Sequence, residues 1–276
     1  MKRRPEALYL DLMKKTLAFT LWPEPPRSLD AFNDTRPFLK RIAVSGMSRI
    51  LRSKHLQLVK LMDISADEKQ EGNGWPAAYA DTMIGLKRLD NLQFCVETVI
   101  REGVEGDLIE TGVWRGGACI LMRAILAAYA IENRKVYVAD SFEGLPKPDP
   151  EKFPADKGAR FHLLQFFAVS QQEVENNFRK YDLLDDCVVF LKGWFKDTLP
   201  NAPIEKLAIL RLDGDMYGST MDALTSLYPR VSKGGFCIID DYALPGCKSA
   251  VNDFRTQNGI TSEMKLVDWT GSYWRK

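Results

Sequence analysis

Histidine is nearly missing from this chain: its 276 residues include only His55 and His162. So few imidazoles argue against a zinc site. The five cysteines (Cys95, Cys119, Cys187, Cys237 and Cys247) are odd in number, scattered, and form no C-x-x-C pair. Mostly they sit in apolar runs, the usual place for reduced core residues. No uninterrupted apolar run approaches the roughly 20 residues that span a bilayer. The opening "MKRRPEALYLDLMKK" has basic residues but no apolar h-region, so it is not a secretion signal. Charge of one sign is also lacking: the net charge of +1 argues against nucleic acid as the default ligand. No internal repeat is visible. These absences lead to the expectation of a reduced, cytoplasmic protein.

What is present suits a folded, enzyme-sized protein. Hydrophobic residues make up 45% of the chain and charged ones 27%, enough to bury a sizeable core. From Glu105 onward, short apolar runs alternate with helical patterns. Strands are expected at "DLIET" (107–111), "KVYVAD" (135–140), "CVVFLKG" (187–193), "KLAILRLDG" (206–214) and "GGFCIIDD" (234–241). Helical patterns such as 116–131 and 219–231 lie between them. Strands apolar on both faces imply a parallel sheet covered by helices on each side. "EMKLVDW" and "GSYWRK" read as an antiparallel pair at the sheet edge.

The division expected is a helical N-terminal extension over 1–104 and a catalytic domain over 105–276. "ALYLDLMKKTLAFTLW" has a helical period that "PEPPRSLDAFNDTRP" breaks. The stretch 36–62 carries Lys40, Arg41, Arg49, Arg52, Lys54 and Lys60 with no acidic residue. It reads as an amphipathic helix pair packed on the domain with its cations outward, or as an interfacial segment touching an anionic membrane or partner.

Two places carry chemistry. "GDLIETGVWRGGACILMRAIL" is a strand, a glycine-bearing turn and a helix, and ligands of open α/β sheets bind beyond such strand ends. Gly112 and the pair Gly116–Gly117 do not make G-x-G-x-x-G, which disfavours a nicotinamide dinucleotide. Glu110 at the strand tip suits a ligand bearing positive charge, and S-adenosylmethionine (SAM) has an ammonium, a sulfonium and no phosphate. Asp140 ends the next strand, where a carboxylate can accept from ribose hydroxyls. Gly193 and Trp194 stand at the third strand tip, with Trp194 either stacking on adenine or plugging the core. The second place is the quartet Asp213, Asp215, Asp240 and Asp241, at the ends of the last two parallel strands. Oxygen ligands without histidine or thiolate suit Mg²⁺, or Mn²⁺ or Ca²⁺.

The segments "YLDLMKKTL", "WPAAYADTMIGLKRLDNL", "GDLIETGVWRGGACI", "VYVADSFEGLPKP", "GWFKDTLP", "LAILRLDGDMYGSTMDALTSLYPRVSKGGFCIIDDY" and "YWRK" together resemble the macrocin O-methyltransferase family of sugar O-methyltransferases. The resemblance covers 75–276 and the first helix, and 36–62 departs from it as an insertion. It implies a Rossmann-like, class I SAM-dependent methyltransferase fold. It also implies metal ligation by Asp213, Asp240 and Asp241, with Asp215 as general base. Cofactor contacts would come from Glu110, Thr111, Gly112, Gly117, Asp140, Ser141, Gly193, Trp194 and Asp213. Residues 80–89 would form a lid, with Thr82 and Met83 touching the cofactor. The acceptor would be a sugar of a natural product, glycolipid or polysaccharide, and the enzyme a homodimer or larger homo-oligomer. A catechol-type O-methyltransferase is the nearest alternative, and a non-catalytic docking protein a further one. Phe153, Phe161, Phe166 and Phe167, in the insert 144–170, either line an apolar pocket or pack down, and His162 beside them is a substrate-loop or surface residue.

Overall fold

The computed structural model describes residues 4–30, 36–74, 76 and 78–276. Part of the expected break at 23–37 and two positions of the "WPAAYADTM" segment thus lie outside the described residues.

The five apolar runs form parallel strands: β3 (Asp107–Thr111), β4 (Val136–Asp140), β5 (Val188–Lys192), β6 (Leu207–Leu212) and β7 (Val231–Ile239). Two short antiparallel strands, β8 (Lys265–Leu266) and β9 (Ser272–Arg275), complete one seven-stranded sheet in the order β5-β4-β3-β6-β7-β9-β8. β6 is buried at all six positions, as a strand covered on both faces must be. The order reverses between β3 and β6, and such a switch point opens a crevice beyond the strand ends.

Helices cover both faces. α1 (Pro5–Leu17) and α4 (Leu86–Arg101) pack with α5 (Gly117–Ala128) on one side. Leu10, Met13 and Leu17 of α1 share a single apolar cluster with Leu89, Leu92 and Val96 of α4, eight residues of α5, and β3, β4 and β6 residues such as Leu108, Val138 and Ile209. α8 (Tyr217–Leu227) and α9 (Pro245–Gln257) pack together on the other side. α8 begins two residues before the expected 219 and stops at Leu227. A 3-10 turn through Pro229 then leads into β7, which starts three residues before the expected Gly234. All five cysteines are free, and four are buried.

The basic stretch differs from the packed helix pair the sequence suggests. It holds one helix, α2 (Phe38–Arg52), and a two-residue bridge between β1 (Arg27–Ser28) and β2 (Val59–Lys60). Only Ser48 of α2 is buried, while Phe38, Leu39, Ile42, Met47 and Ile50 are exposed. Among the described residues no helix is long and apolar enough to cross a membrane.

Candidate active site

Ladder hydrogen bonds carry the chain one residue past each strand and so fix the tips. Gly112 N–H donates to the Ala139 carbonyl, Asp213 to Thr111, Asp240 to Leu212 and Gly193 to Asp140, each at 2.9 Å. These tips open into a cavity of about 730 Å³. Glu110, Gly112, Asp140, Ser141, Gly193 and Trp194 line it, as do Asp213, Asp215, Asp240 and Asp241. Thr82 and Met83 line it from the expected lid. Thr111 and Gly117 are not in its wall. Thr111 is buried in the sheet, and its backbone carbonyl holds Asp213.

The glycines of the turn are required by the protein's own crossings. A Cβ on Gly112, whose φ is +84°, would collide with the Asp213 carbonyl oxygen, so β3 and β6 can meet here only over glycine. A Cβ on Gly117 would collide with the Asp81 carbonyl and the Thr82 side chain. Asp81 and Thr82, in the segment expected to form a lid, therefore lie directly on the start of α5. It is fastened there by Asp81, which accepts from Lys180 (3.1 Å) and Tyr181 (2.7 Å), and by Arg115, which donates to the carbonyls of Ala78 and Ala80. This helix N-terminus, where a pyrophosphate would sit in a dinucleotide site, is occupied by protein. A cofactor without phosphate fits that arrangement.

Asp140 is oriented by backbone N–H groups, from Val113 to Oδ2 and from Phe142 to Oδ1, both at 2.7 Å. Burial raises its pKa, and these hydrogen bonds oppose the rise. A carboxylate so held still has lone pairs for ribose hydroxyls. Trp114, Trp194, Met83, Ile84 and Val113 give the same wall an apolar surface.

The carboxylates divide into two sets. Arg211, buried inside β6, lies in register with Glu110 across the switch point and forms an ion pair with it. The same guanidinium reaches Asp213 at 3.1 Å and pairs with Asp240. Asp240 also pairs with Arg88 of α4, which in turn reaches Asp268 at 2.9 Å. Burial disfavours the Asp240 carboxylate, yet the two guanidiniums hold its pKa below the usual carboxylate range. Glu110, expected to face a positive cofactor group, has one oxygen on Arg211 and the other 3.0 Å from the Cys119 thiol.

Asp213, Asp215 and Asp241 form the second set, with one oxygen from each within 4.8 Å of the others. The structure thus groups Asp215 with Asp213 and Asp241, and turns Asp240, an expected ligand, toward two arginines. Burial, and after it the charges of neighbouring carboxylates with Asp240 among them, push the pKa values of Asp213 and Asp215 well up, and that of Asp241 to about 6. Asp215 takes a left-handed backbone, φ +55°, which costs a non-glycine residue roughly 1–2 kcal/mol. Its N–H donates to Asp241 Oδ2 at 3.1 Å. An all-oxygen cluster left short of positive charge has the chemistry of a site for a hard divalent cation.

Sequence reasoning missed Arg211 and Arg88. The available signal was a lone cation within "AILRLDG", because a charge on a strand buried on both faces must be paired. It also missed Asp156 in the insert. This buried carboxylate accepts from the backbone N–H groups of Tyr217 (2.7 Å) and Gly218 (3.0 Å), capping α8, whose own N-cap residue Met216 supplies no side-chain bond. The phenylalanines divide: Phe153 and Phe167 line the cavity, while Phe161 and Phe166 pack against Phe167, and Phe166 also against Trp114. His162 is partly buried and outside the cavity wall.

Known proteins place this geometry in context. A family description, macrocin-O-methyltransferase (TylF), matches residues 6–276. The chain is 47% identical over 269 residues to the 8-demethyl-8-(2,3-dimethoxy-alpha-L-rhamnosyl)-tetracenomycin-C 4'-O-methyltransferase of Streptomyces olivaceus, covering 97% of this chain and 92% of that protein. It is 46% identical to the demethyldecarbamoylnovobiocin O-methyltransferase of Streptomyces niveus, covering 98% and 94%. The solved structure of the O-methyltransferase NovP superimposes with a TM-score of 0.83 at 46% identity, covering 98% of this chain and 99% of that one. The cavity at the switch point and the closed helix start agree with these matches, and the chain belongs to the macrocin O-methyltransferase (TylF) family of SAM-dependent O-methyltransferases.

Proposed function

We propose that the enzyme methylates a hydroxyl of a sugar carried on a natural product, with Asp215 as general base and a divalent cation, Mg²⁺ first and Mn²⁺ or Ca²⁺ next, held by Asp213 and Asp241. One observation carries the reading: a carboxylate cluster short of positive charge stands in the wall of the same cavity as Asp140. The relatives' names supply the acceptor class, since the Streptomyces olivaceus enzyme acts on a rhamnosyl group.

Bound SAM supplies an electrophilic methyl group on a sulfonium. Asp213 and Asp241 would hold the cation, which would supply Lewis-acid polarisation of an acceptor hydroxyl. The protein does the rest. Asp140, Ser141 and the apolar wall with Trp114 and Trp194 orient the cofactor, and Thr82 and Met83 cover it and exclude water. Orientation of this kind contributes on the order of 7–11 kcal/mol. An Asp215 carboxylate oxygen takes the acceptor proton as the acceptor oxygen bonds to the methyl carbon and the methyl–sulfur bond breaks, leaving a neutral thioether, a contribution of roughly 10²–10⁴-fold. Asp240 stays ionised on its two arginines and shapes the cluster from behind. Phe153 and Phe167 give the acceptor side an apolar wall suited to an aglycone.

The test is incubation with methyl-labelled SAM and Mg²⁺ against a panel of deoxyhexosyl glycosides and a catechol, with the product position read by NMR. Label on a sugar oxygen supports the reading. Label on the catechol alone overturns the sugar assignment, and full activity in EDTA overturns the cation.

A further inference from the structure

The carboxylate edge is assembled from distant parts of the chain, and one side chain joins three of them. Arg88 stands in the first turn of α4, six residues after Thr82 of the lid. It is 8% exposed despite its charge. Its Nη1 pairs with Asp240 at the tip of β7, and its Nε donates to Asp268 Oδ2 at 2.9 Å. Its Nη2 donates to the Gly72 carbonyl at 3.0 Å, in a segment that lines the cavity from the N-terminal side. The guanidinium lies 6.0 Å from the centre of the Trp269 ring, and Trp269 Nε1 donates to the Glu71 carbonyl at 3.2 Å. A Cβ on Gly271 would stand 2.9 Å from Arg88 Cδ, so the turn before β9 closes on the arginine stem only over glycine.

Asp240 gives each of its oxygens to a different guanidinium, Oδ2 to Arg88 and Oδ1 to Arg211. Two forks fix the plane and rotamer of the carboxylate. Arg211 therefore keeps an Nη1 contact with Asp213, which belongs to the open cluster. Without Arg88, one Asp240 oxygen loses its only cation among the described residues, and Arg211 alone is left to fix the carboxylate that stands beside Asp213 and Asp241.

We infer that Arg88 is a positioning residue for the reaction: acting through Asp240 and Arg211, it sets the spacing and charge of the Asp213–Asp215–Asp241 cluster, and it binds the cavity's N-terminal cover to that cluster. The cation half of this inference rests on the function proposed above; the mechanical half does not. A guanidinium is needed for three divergent donors, and a lysine ammonium offers a compact charge without the planar fork. Groups that orient ligating side chains typically change metal affinity by about 10–100-fold when removed.

The experiment compares the full chain with Arg88→Met and Arg88→Lys by three readouts: calorimetric titration of SAM, Mn²⁺ titration of the SAM-bound protein, and amide exchange over 72–85 and 268–271. The expected result for Arg88→Met is a folded protein whose Mn²⁺ dissociation constant rises about 10-fold or more. Its SAM affinity stays within about threefold, and exchange quickens in both segments. Arg88→Lys falls between, and adding Asp240→Asn to Arg88→Met costs little more, because both changes act on one chain of contacts. Unchanged Mn²⁺ affinity in folded Arg88→Met overturns the inference. Should Arg88→Met fail to fold, the Arg88→Met/Asp240→Asn pair removes both charges. A folded pair with native Mn²⁺ affinity again overturns it. A parent protein that binds no Mn²⁺ refutes the cation reading itself, and the exchange readout then decides the mechanical half: unchanged protection in Arg88→Met refutes that too.

Discussion

Two groups of carboxylates share one sheet edge and live by different electrostatics. Glu110, Asp240 and Asp268 are buried and meet Arg211 or Arg88 at contact distance, and their charges are answered within the fold. Asp213, Asp215 and Asp241 stand a few ångströms away, partly open to the cavity, with a single arginine contact among the described residues, Arg211 to Asp213. The first group is built like a structural ion-pair network, in which losing one member leaves a buried charge unanswered. The second is held in a costly arrangement that the fold alone does not reward, and this contrast motivates the cation site proposed above. Proximity in sequence did not sort them. Asp240 and Asp241 are adjacent residues and fall on opposite sides of the divide.

The contrast breaks most visibly at Arg211. Replacing it with Met should leave Glu110 and Asp240 buried with too little positive charge, and cost about 3–5 kcal/mol of stability. Denaturant unfolding measures this, and a loss below about 1 kcal/mol would mean that water already screens the network. Asp215→Asn should do the opposite, keeping stability and SAM binding while turnover falls roughly 10²–10⁴-fold. Turnover within a few-fold of the parent would remove Asp215 from the base role.

Acid titration sharpens the comparison further. Burial, and after it the Asp240 charge, push the Asp241 pKa up to about 6, above the ordinary carboxyl value of 3.8. Between those values the folded state holds the proton more firmly than the unfolded state, so in metal-free protein this group's contribution to stability falls as pH rises through the window. Asp241→Asn should therefore gain on the parent between about pH 4 and pH 6 in EDTA, and Mg²⁺ should erase the gain by stabilising only the parent. Equal pH profiles of melting temperature for the two proteins would contradict the repulsion. The smallest effect is expected from Leu39→Gln or Ile42→Gln on the exposed face of α2. Isolated-chain stability should move by no more than about 0.5 kcal/mol, since neither side chain is buried. A larger loss on dilution would reveal a partner chain on that face.

Much of this was legible from sequence, and for a physical reason. Strands buried on both faces produce apolar runs, so the five parallel strands, the antiparallel C-terminal pair and the edge bearing the carboxylates could be read directly. The places of Asp140, Gly193 and Trp194 in one cavity wall followed because strand tips on one edge must converge. Pairing was hidden, because it depends on side chains up to 180 residues apart, as between Arg88 and Asp268. The role of Gly117 was hidden too: a glycine reads alike whether a ligand or another backbone needs the space. The basic stretch misled through composition, since amphipathic spacing does not say which face packs, and α2 leaves apolar residues outside.

Asp156 has a consequence for anyone who would re-aim this enzyme at another acceptor. The insert that lines the acceptor side ends the backbone of α8 with its own carboxylate, two residues after Asp215. A loop transplanted from a relative brings its pocket walls, but without an aspartate at this place it leaves the first turn of α8 uncapped and Asp215 poorly seated. On the function proposed above, acceptor range and catalytic alignment are then inherited together, and a chimera must exchange both or neither.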